Sequence, residues 1–186
     1  MSDRHRLTVL RILALVVVVA LIVVLFIFRA QVKKLESYGY AGIFLISIAV
    51  NATIIIPIPG VAFTTAMGAI FNPIGVALAS GLGAAVGEIS GYLAGFSGQA
   101  VVERAALYQR LTSWMKQHQR LAYLAILVLA FIPNPLFDLA GMASGALKLP
   151  LWKFLLACAI GKVLKMLMFA YAGYYSINWL TSLVWK

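Results

Sequence analysis

Runs of apolar residues separated by short polar stretches dominate the pattern of this chain. The first run, Ile12–Phe28, approaches the roughly 20 residues that a helix needs to cross the hydrocarbon of a bilayer. Basic residues precede it and no small-x-small cleavage pattern follows it, so we expect a retained transmembrane helix in residues 1–40 rather than a cleaved signal peptide. Two later runs, Ile74–Phe96 and Leu151–Tyr171, are also long enough to span.

Two other apolar runs, Ala41–Phe71 and Leu121–Leu147, are each broken near the middle by Pro-x-Pro. Proline removes a backbone donor and pushes the preceding residue out of the helical region, so each run predicts two half-helices. In the first run the flanks are about 15 and 10 residues, or roughly 22 and 15 Å of helix. These lengths favour a re-entrant hairpin over a kinked spanning helix. The predicted breaks contain Pro57, Pro59, Gly60, Pro133 and Pro135.

The two broken runs form an internal repeat. After each break come a glycine and, five residues later, a proline: Gly68 and Pro73 in the first copy, Gly145 and Pro150 in the second. One spanning helix, Ile74–Phe96, separates the copies, so the two hairpins are expected to enter from opposite faces of the membrane. Such an inverted repeat is typical of transporters whose site lies near the bilayer midplane.

These patterns predict an all-α integral membrane protein with two inverted re-entrant helical hairpins and about three to four spanning helices. We expect a core in residues 41–173 that contains the repeats 41–96 and 121–173. A basic amphipathic helix in residues 99–120 joins the repeats and is expected to lie on the cytoplasmic surface of the membrane. Residues 174–186 form an interfacial or transmembrane tail.

The spanning run between the hairpins carries glycines at every fourth position, which predicts one small helix face for close packing against another helix. These residues are Gly83, Gly87, Gly91 and Gly95.

Composition supports the membrane assignment and limits the functions. Apolar residues make up 63% of the 186 residues, mean hydropathy is +0.99, and charged residues contribute 11%. The net charge of +10 resides in short polar segments, which is typical of cytoplasmic loops and argues against nucleic-acid binding. No His, Cys and carboxylate pattern has metal-ligand spacing, and no serine has a plausible base beside it. We therefore expect no metal, no cofactor and no enzymatic activity.

Four ionisable residues fall within the predicted membrane segments: Glu88, Asp138, Lys162 and Lys165. A charge near the centre of a membrane helix costs roughly 2.5–3.5 kcal/mol, so retention indicates pairing or function. The offset of the two repeats places Glu88 opposite Lys165, which predicts that these two pair and that Asp138 lies near Lys162. Such pairs would either fix helix packing only or line a polar path. Asn134 and Asn51 are the further polar candidates for that path.

The run Phe131–Gly141, which reads FIPNPLFDLAG, closely resembles the signature of the vacuole membrane protein 1 branch of the DedA superfamily, also called the VTT domain. The glycine-and-acid helix at residues 83–95 and the run Gly161-Lys162 with Lys165 are similar to the same branch. The resemblance implies two opposed re-entrant hairpins and lipid transport. Eukaryotic relatives are phospholipid scramblases, and bacterial ones are inner-membrane proteins tied to lipid translocation and lipid-carrier recycling.

The resemblance also bears on mechanism. Bacterial relatives carry an acid in the first hairpin, where Asn51 stands here, and arginines after the second break, where this chain has none. Both are associated with proton-coupled transport, so passive movement of lipid fits better. We therefore expect a phospholipid scramblase that needs no energy input.

Two alternatives stay open. One is a proton- or cation-coupled transporter of a specific lipid such as a polyprenyl phosphate, and the other is a membrane assembly factor without transport activity. Membrane phospholipids are the expected partners, and a homo-oligomer is a further candidate. Small size and short loops favour the plasma membrane of a prokaryote, with the N-terminus cytoplasmic.

Overall fold

In a computed structural model, all regular structure in the described residues is helical, as the sequence predicts. The structure describes residues 36–52, 60–97, 105–134 and 136–184. The N-terminal helix expected at Ile12–Phe28 lies outside these ranges. The helices are α1 (Glu36–Ala52), α2 (Gly60–Gly68), α3 (Pro73–Gly87), α4 (Ile89–Phe96), α5 (Ala105–Gln117), α6 (Gln119–Phe131), α7 (Leu136–Ala146) and α8 (Leu151–Val184).

Two helical stretches are long and apolar enough to cross a membrane, Pro73–Phe96 and Leu151–Ser176. The first combines α3 and α4, which meet at Glu88 with its backbone still in the right-handed helical region. It starts sharply because the Asn72 side chain accepts a hydrogen bond from the Ile74 amide at 2.9 Å and proline occupies the first helical position. Both stretches agree with the predicted spanning segments.

The broken runs fold as pairs of short helices. Helices α1 and α2 have 17 and 9 residues, and α6 and α7 have 13 and 11. At 1.5 Å per residue these are about 14 to 25 Å long, shorter than a hydrocarbon core of about 30 Å. Pro133 lies in the non-helical link between α6 and α7, and Gly60 begins α2. Pro57, Pro59 and Pro135 lie outside the described residues, and the re-entrant path stays a prediction.

The first half-helix of each pair packs on the spanning helix that follows it in sequence. A β-carbon added at Gly83 of α3 would overlap the carbonyl oxygen of Phe44 in α1. In the same way, a β-carbon at Gly161 of α8 would overlap the carbonyl oxygen of Leu127 in α6. The two repeats therefore share one mode of close helix contact.

The second half-helices are exchanged between the repeats. Helix α7 packs on α4, where Gly95 lies against the carbonyl group of Met142. Helix α2 packs on the later part of α8, where Gly173 lies against the carbonyl group of Thr65. Because each repeat supplies a helix to the other, the two halves interlock around two clusters of buried apolar residues.

Three glycines of the predicted stripe lie at close helix contacts. Gly83 and Gly87 contact α1 and Gly95 contacts α7, while a β-carbon at Gly91 would have only a Glu88 carboxylate oxygen within 4.0 Å. The stripe therefore packs against two different helices, and Gly91 borders an ionisable side chain instead.

The remaining elements differ in detail from the sequence prediction. The amphipathic connection expected at 99–120 contains the shorter helix Ala105–Gln117. Helix α8 continues without interruption through the boundary expected at residue 174 and ends at Val184. Large apolar side chains face outward on the bundle, as expected for a surface in contact with lipid tails; the most exposed are Trp152, Leu45, Tyr175 and Met168.

A buried ionic cluster as the candidate functional site

Lys162 lies at the centre of a buried polar cluster. Its side chain is 3% exposed, and its ammonium donates hydrogen bonds to the carboxylate of Glu88 and, at 2.7 Å, to Oδ1 of Asn51. The same ammonium lies 4.8 Å from the centre of the Phe137 ring, within the range of a cation–π contact. The charge is therefore fully partnered inside the bundle.

Glu88 reaches this lysine from the junction of α3 and α4. It is 5% exposed, and its salt bridge to Lys162 is the one found among the described residues. The small residue Gly91, one turn later, leaves space beside the carboxylate. A buried pair of this kind contributes little net stability, but removal of one partner leaves an uncompensated charge in a low dielectric.

Asn51 ties the end of α1 to this junction. Its amide nitrogen donates to the Ser47 carbonyl at 2.9 Å while its oxygen accepts from Lys162. A second link comes from the Ser90 hydroxyl, which lies 3.0 Å from the Ala52 carbonyl. The helix end that precedes the first break is thereby fixed against α4 and α8.

Phe137 connects the cluster to the second break. It lies in the first turn of α7, two residues after the position of Pro135, and is 5% exposed. Its neighbour Asp138 is exposed and acidic, a favourable charge for a helix N-terminus. Lys162 thus contacts residues that adjoin both breaks.

Lys165 lies three residues after Lys162 on α8 and is only partly buried. No carboxylate of the described residues lies within salt-bridge distance of it. Asp138, Glu88 and Lys162 are nevertheless near enough to influence Lys165 electrostatically. Exposure increases from Lys162 through Lys165 to Asp138, and we refer to these residues together with Glu88 as the polar row.

The predicted pairing of Glu88 with Lys165 is wrong, because the salt-bridge partner of Glu88 is Lys162. The physical reason is the register of the spanning helices. A repeat offset relates equivalent positions of the two copies, and equivalent positions need not contact each other. Here α3 packs on α8 with Gly81 directly against Val163, the neighbour of Lys162.

Asn134 stands apart from the cluster. Its amide nitrogen donates to the carbonyl groups of Leu129 at 2.9 Å and Ile132 at 2.7 Å, and its oxygen accepts from the Leu136 amide at 2.9 Å. These bonds satisfy backbone groups that the prolines leave without helical partners. Asn134 therefore shapes the second break and starts α7, and its amide hydrogens are already engaged.

Sequence reasoning missed two members of the site, Ser90 and Phe137. Ser90 follows Glu88 by two residues on a helix that carries few polar side chains, and this is the signal that could have identified it. Phe137 is indistinguishable by sequence from a residue of the apolar core. Only the packing of α7 against α8 reveals its position over the ammonium.

Comparison with known proteins identifies a family to which much of the chain is similar. The VTT domain family model matches residues 58–175. Vacuole membrane protein KMS2 of Arabidopsis thaliana is 48% identical over 56 residues, which are 30% of this chain and 14% of that protein. The Dictyostelium discoideum vacuole membrane protein 1 homolog is 55% identical over 42 residues, 23% of this chain and 10% of that protein. Human vacuole membrane protein 1 is 48% identical over 46 residues, 25% of this chain and 11% of that protein.

These matches cover at most 14% of the length of the three relatives. All three come from eukaryotes and give no support to the expected prokaryotic plasma membrane. No solved structure matches the chain. The family match spans more than half of the chain and includes α3, α4, the second broken segment and most of α8. The vacuole membrane proteins named above agree with the branch of the DedA superfamily that the sequence resembles. The family match shows that this membrane protein belongs to the VTT domain family.

Proposed function

We propose that this protein is a phospholipid scramblase that moves lipids between the two leaflets without energy input. The observation that carries the proposal is the polar row that runs from the buried Lys162–Glu88 pair through Lys165 to the exposed Asp138. It lies among membrane helices and adjoins both broken segments, so it offers polar groups where a bilayer otherwise offers none.

The energetic role of such a row follows from the barrier to flipping. A charged headgroup that enters hydrocarbon loses its hydration, and the idealised cost for one ion is of the order of 20 kcal/mol. Side chains of both signs along a groove replace part of that hydration while the acyl tails stay in lipid. The interior pair compensates its own charges, which leaves Lys165 and Asp138 as the groups for headgroup contact. We propose that neither a cofactor nor a covalent step takes part.

The membrane in which the protein resides is part of the proposal. Short connections between the helices favour a prokaryotic plasma membrane, whereas the relatives named above are eukaryotic. The proposed chemistry is the same in either membrane because it depends on the phosphate and amine groups of the lipids. A homo-oligomer stays a prediction.

The test is lipid flipping in proteoliposomes that contain a trace of fluorescent phospholipid in both leaflets. A membrane-impermeant reductant added outside bleaches about half of the fluorescence in protein-free vesicles. Passive scrambling predicts bleaching well beyond half, without any gradient and for several headgroups.

The alternatives give different results in the same vesicles. A coupled transporter gives bleaching beyond half only for one lipid class and only under an imposed pH or cation gradient, with a polyprenyl phosphate as the lipid to try. A non-transporting assembly factor gives the same bleached fraction as protein-free vesicles for every lipid and gradient.

A further inference from the structure

Two lysines on one face of α8 have different environments. Lys162 is 3% exposed and has a carboxylate, an amide oxygen and an aromatic face as partners. Lys165 is partly exposed, and among the described residues its ammonium has no hydrogen bond or salt bridge. The cluster thus satisfies one lysine completely and leaves the other available.

The charges around Lys165 explain why the interior does not neutralise it. Glu88 is engaged by Lys162, which is itself a second positive charge close to Lys165. Asp138 is exposed at the start of α7 and makes no salt bridge with it. A cation that is kept in a membrane helix without a carboxylate partner calls for an anion from outside the chain.

We propose that Lys165, at its partly exposed position on α8, binds the phosphate group of a lipid, and that Lys162 is a positioning residue that does not contact the ligand. The inference rests on the proposed function for its location and adds the ligand chemistry. The lysine ammonium is a compact charge on a flexible stem, which suits a phosphate that arrives in several orientations. Lys162 instead links α1, the α3–α4 junction and α7 through its contacts with Asn51, Glu88 and Phe137.

Binding is measured on the full chain in detergent micelles, without any flipping. The probes are dihexanoyl phosphatidic acid, dihexanoylglycerol, which lacks the phosphate, and inorganic phosphate. Native mass spectrometry gives the affinity, and an amine-acylating reagent followed by peptide mapping gives the reactivity of each lysine. We expect phosphatidic acid to bind and to slow acylation of Lys165 at least fivefold, with no such effect from dihexanoylglycerol.

The variants separate contact from positioning. Lys165→Gln should weaken phosphatidic acid binding at least tenfold and Lys165→Arg should retain it, while Lys116→Gln, at an exposed position on α5, is the matched control and should bind like the original chain. Unchanged affinity in Lys165→Gln, or unchanged Lys165 acylation with the lipid bound, overturns the inference. The acylation measurement uses the original chain, so its outcome does not depend on whether any variant folds.

The remaining outcomes identify the source of the phosphate and separate the two proposals. Protection by inorganic phosphate at the same concentration as by phosphatidic acid overturns the lipid as ligand. Protection by phosphatidic acid alone supports it. If vesicles show no flipping while Lys165 is protected, the scramblase proposal fails and the lipid-phosphate site stands.

Discussion

Replacement of both Lys162 and Glu88 by methionine is predicted to destabilise the protein far less than replacement of either residue alone. Lys162→Met leaves Glu88 as a carboxylate that is 5% exposed, and Glu88→Met leaves an ammonium that is 3% exposed. Removal of one partner of a buried salt bridge costs about 3–5 kcal/mol, whereas apolar replacement of both is often neutral. The two single changes would therefore sum to about 6–10 kcal/mol if they were independent.

The structure allows a sharper estimate for the double variant. Loss of the ammonium also deprives the Asn51 oxygen of its donor, which costs about 1–3 kcal/mol for a buried polar atom. We expect the free energy of unfolding of the double variant to be about 1–3 kcal/mol lower than that of the original chain. A further Asn51→Leu change should recover part of that difference. The coupling free energy between positions 88 and 162 is then at least about 3 kcal/mol.

The assay is unfolding by a denaturing detergent in mixed micelles, followed by far-ultraviolet circular dichroism. Lys116→Met, at an exposed lysine of α5, is the control for the substitution itself and should change the free energy of unfolding by less than about 0.5 kcal/mol. Additive losses in the double variant would refute the direct pairing of Lys162 with Glu88. Single variants that unfold like the control would refute the buried, water-excluded setting of the pair.

Two further predictions concern packing and backbone geometry. Gly95→Ala should lower the free energy of unfolding by about 1–3 kcal/mol, because the added β-carbon would overlap the Met142 carbonyl. Gly91→Ala, on the same face but with no backbone carbonyl beside it, should lower it by less than about 1 kcal/mol. Equal effects of the two changes in thermal unfolding would contradict the close α4–α7 contact. Lys148 has a positive φ of 52° just after α7, and its ammonium lies over the Phe96 ring. Lys148→Gly and Lys148→Ala both lose that ring contact, but the glycine variant should be about 1 kcal/mol more stable because glycine adopts positive φ without strain. A higher melting temperature for the alanine variant would argue against this left-handed cap.

The helices and their order could be predicted from the sequence because apolar runs and prolines act locally. Proline at Pro133 ends a helix wherever it occurs, and the length of the run from Pro73 to Phe96 determines whether it can span. The glycine spacing in α3 and α4 likewise indicated a packing face. The exchange of α2 and α7 between the repeats could not be predicted, because no local pattern specifies which of two similar helices a glycine face will meet.

The residues of the site were identified more readily than their partners. Charges within apolar runs are conspicuous, so Glu88 and Lys162 could be selected from the sequence alone. Their pairing depends on the register between two long helices, and a shift of one residue rotates a helical position by about 100°. Asn134 shows the opposite case, since its place at a break suggested a ligand contact whereas its hydrogen bonds serve the backbone.

Fluorescent phospholipid in proteoliposomes without any ion or pH gradient gives the most direct test of the central claim. The account predicts that the impermeant reductant bleaches well beyond half of the fluorescence for lipids with different headgroups, and that Lys165→Gln slows this loss while the protein stays folded. Bleaching that stops at about half in vesicles shown to contain folded protein would contradict passive scrambling.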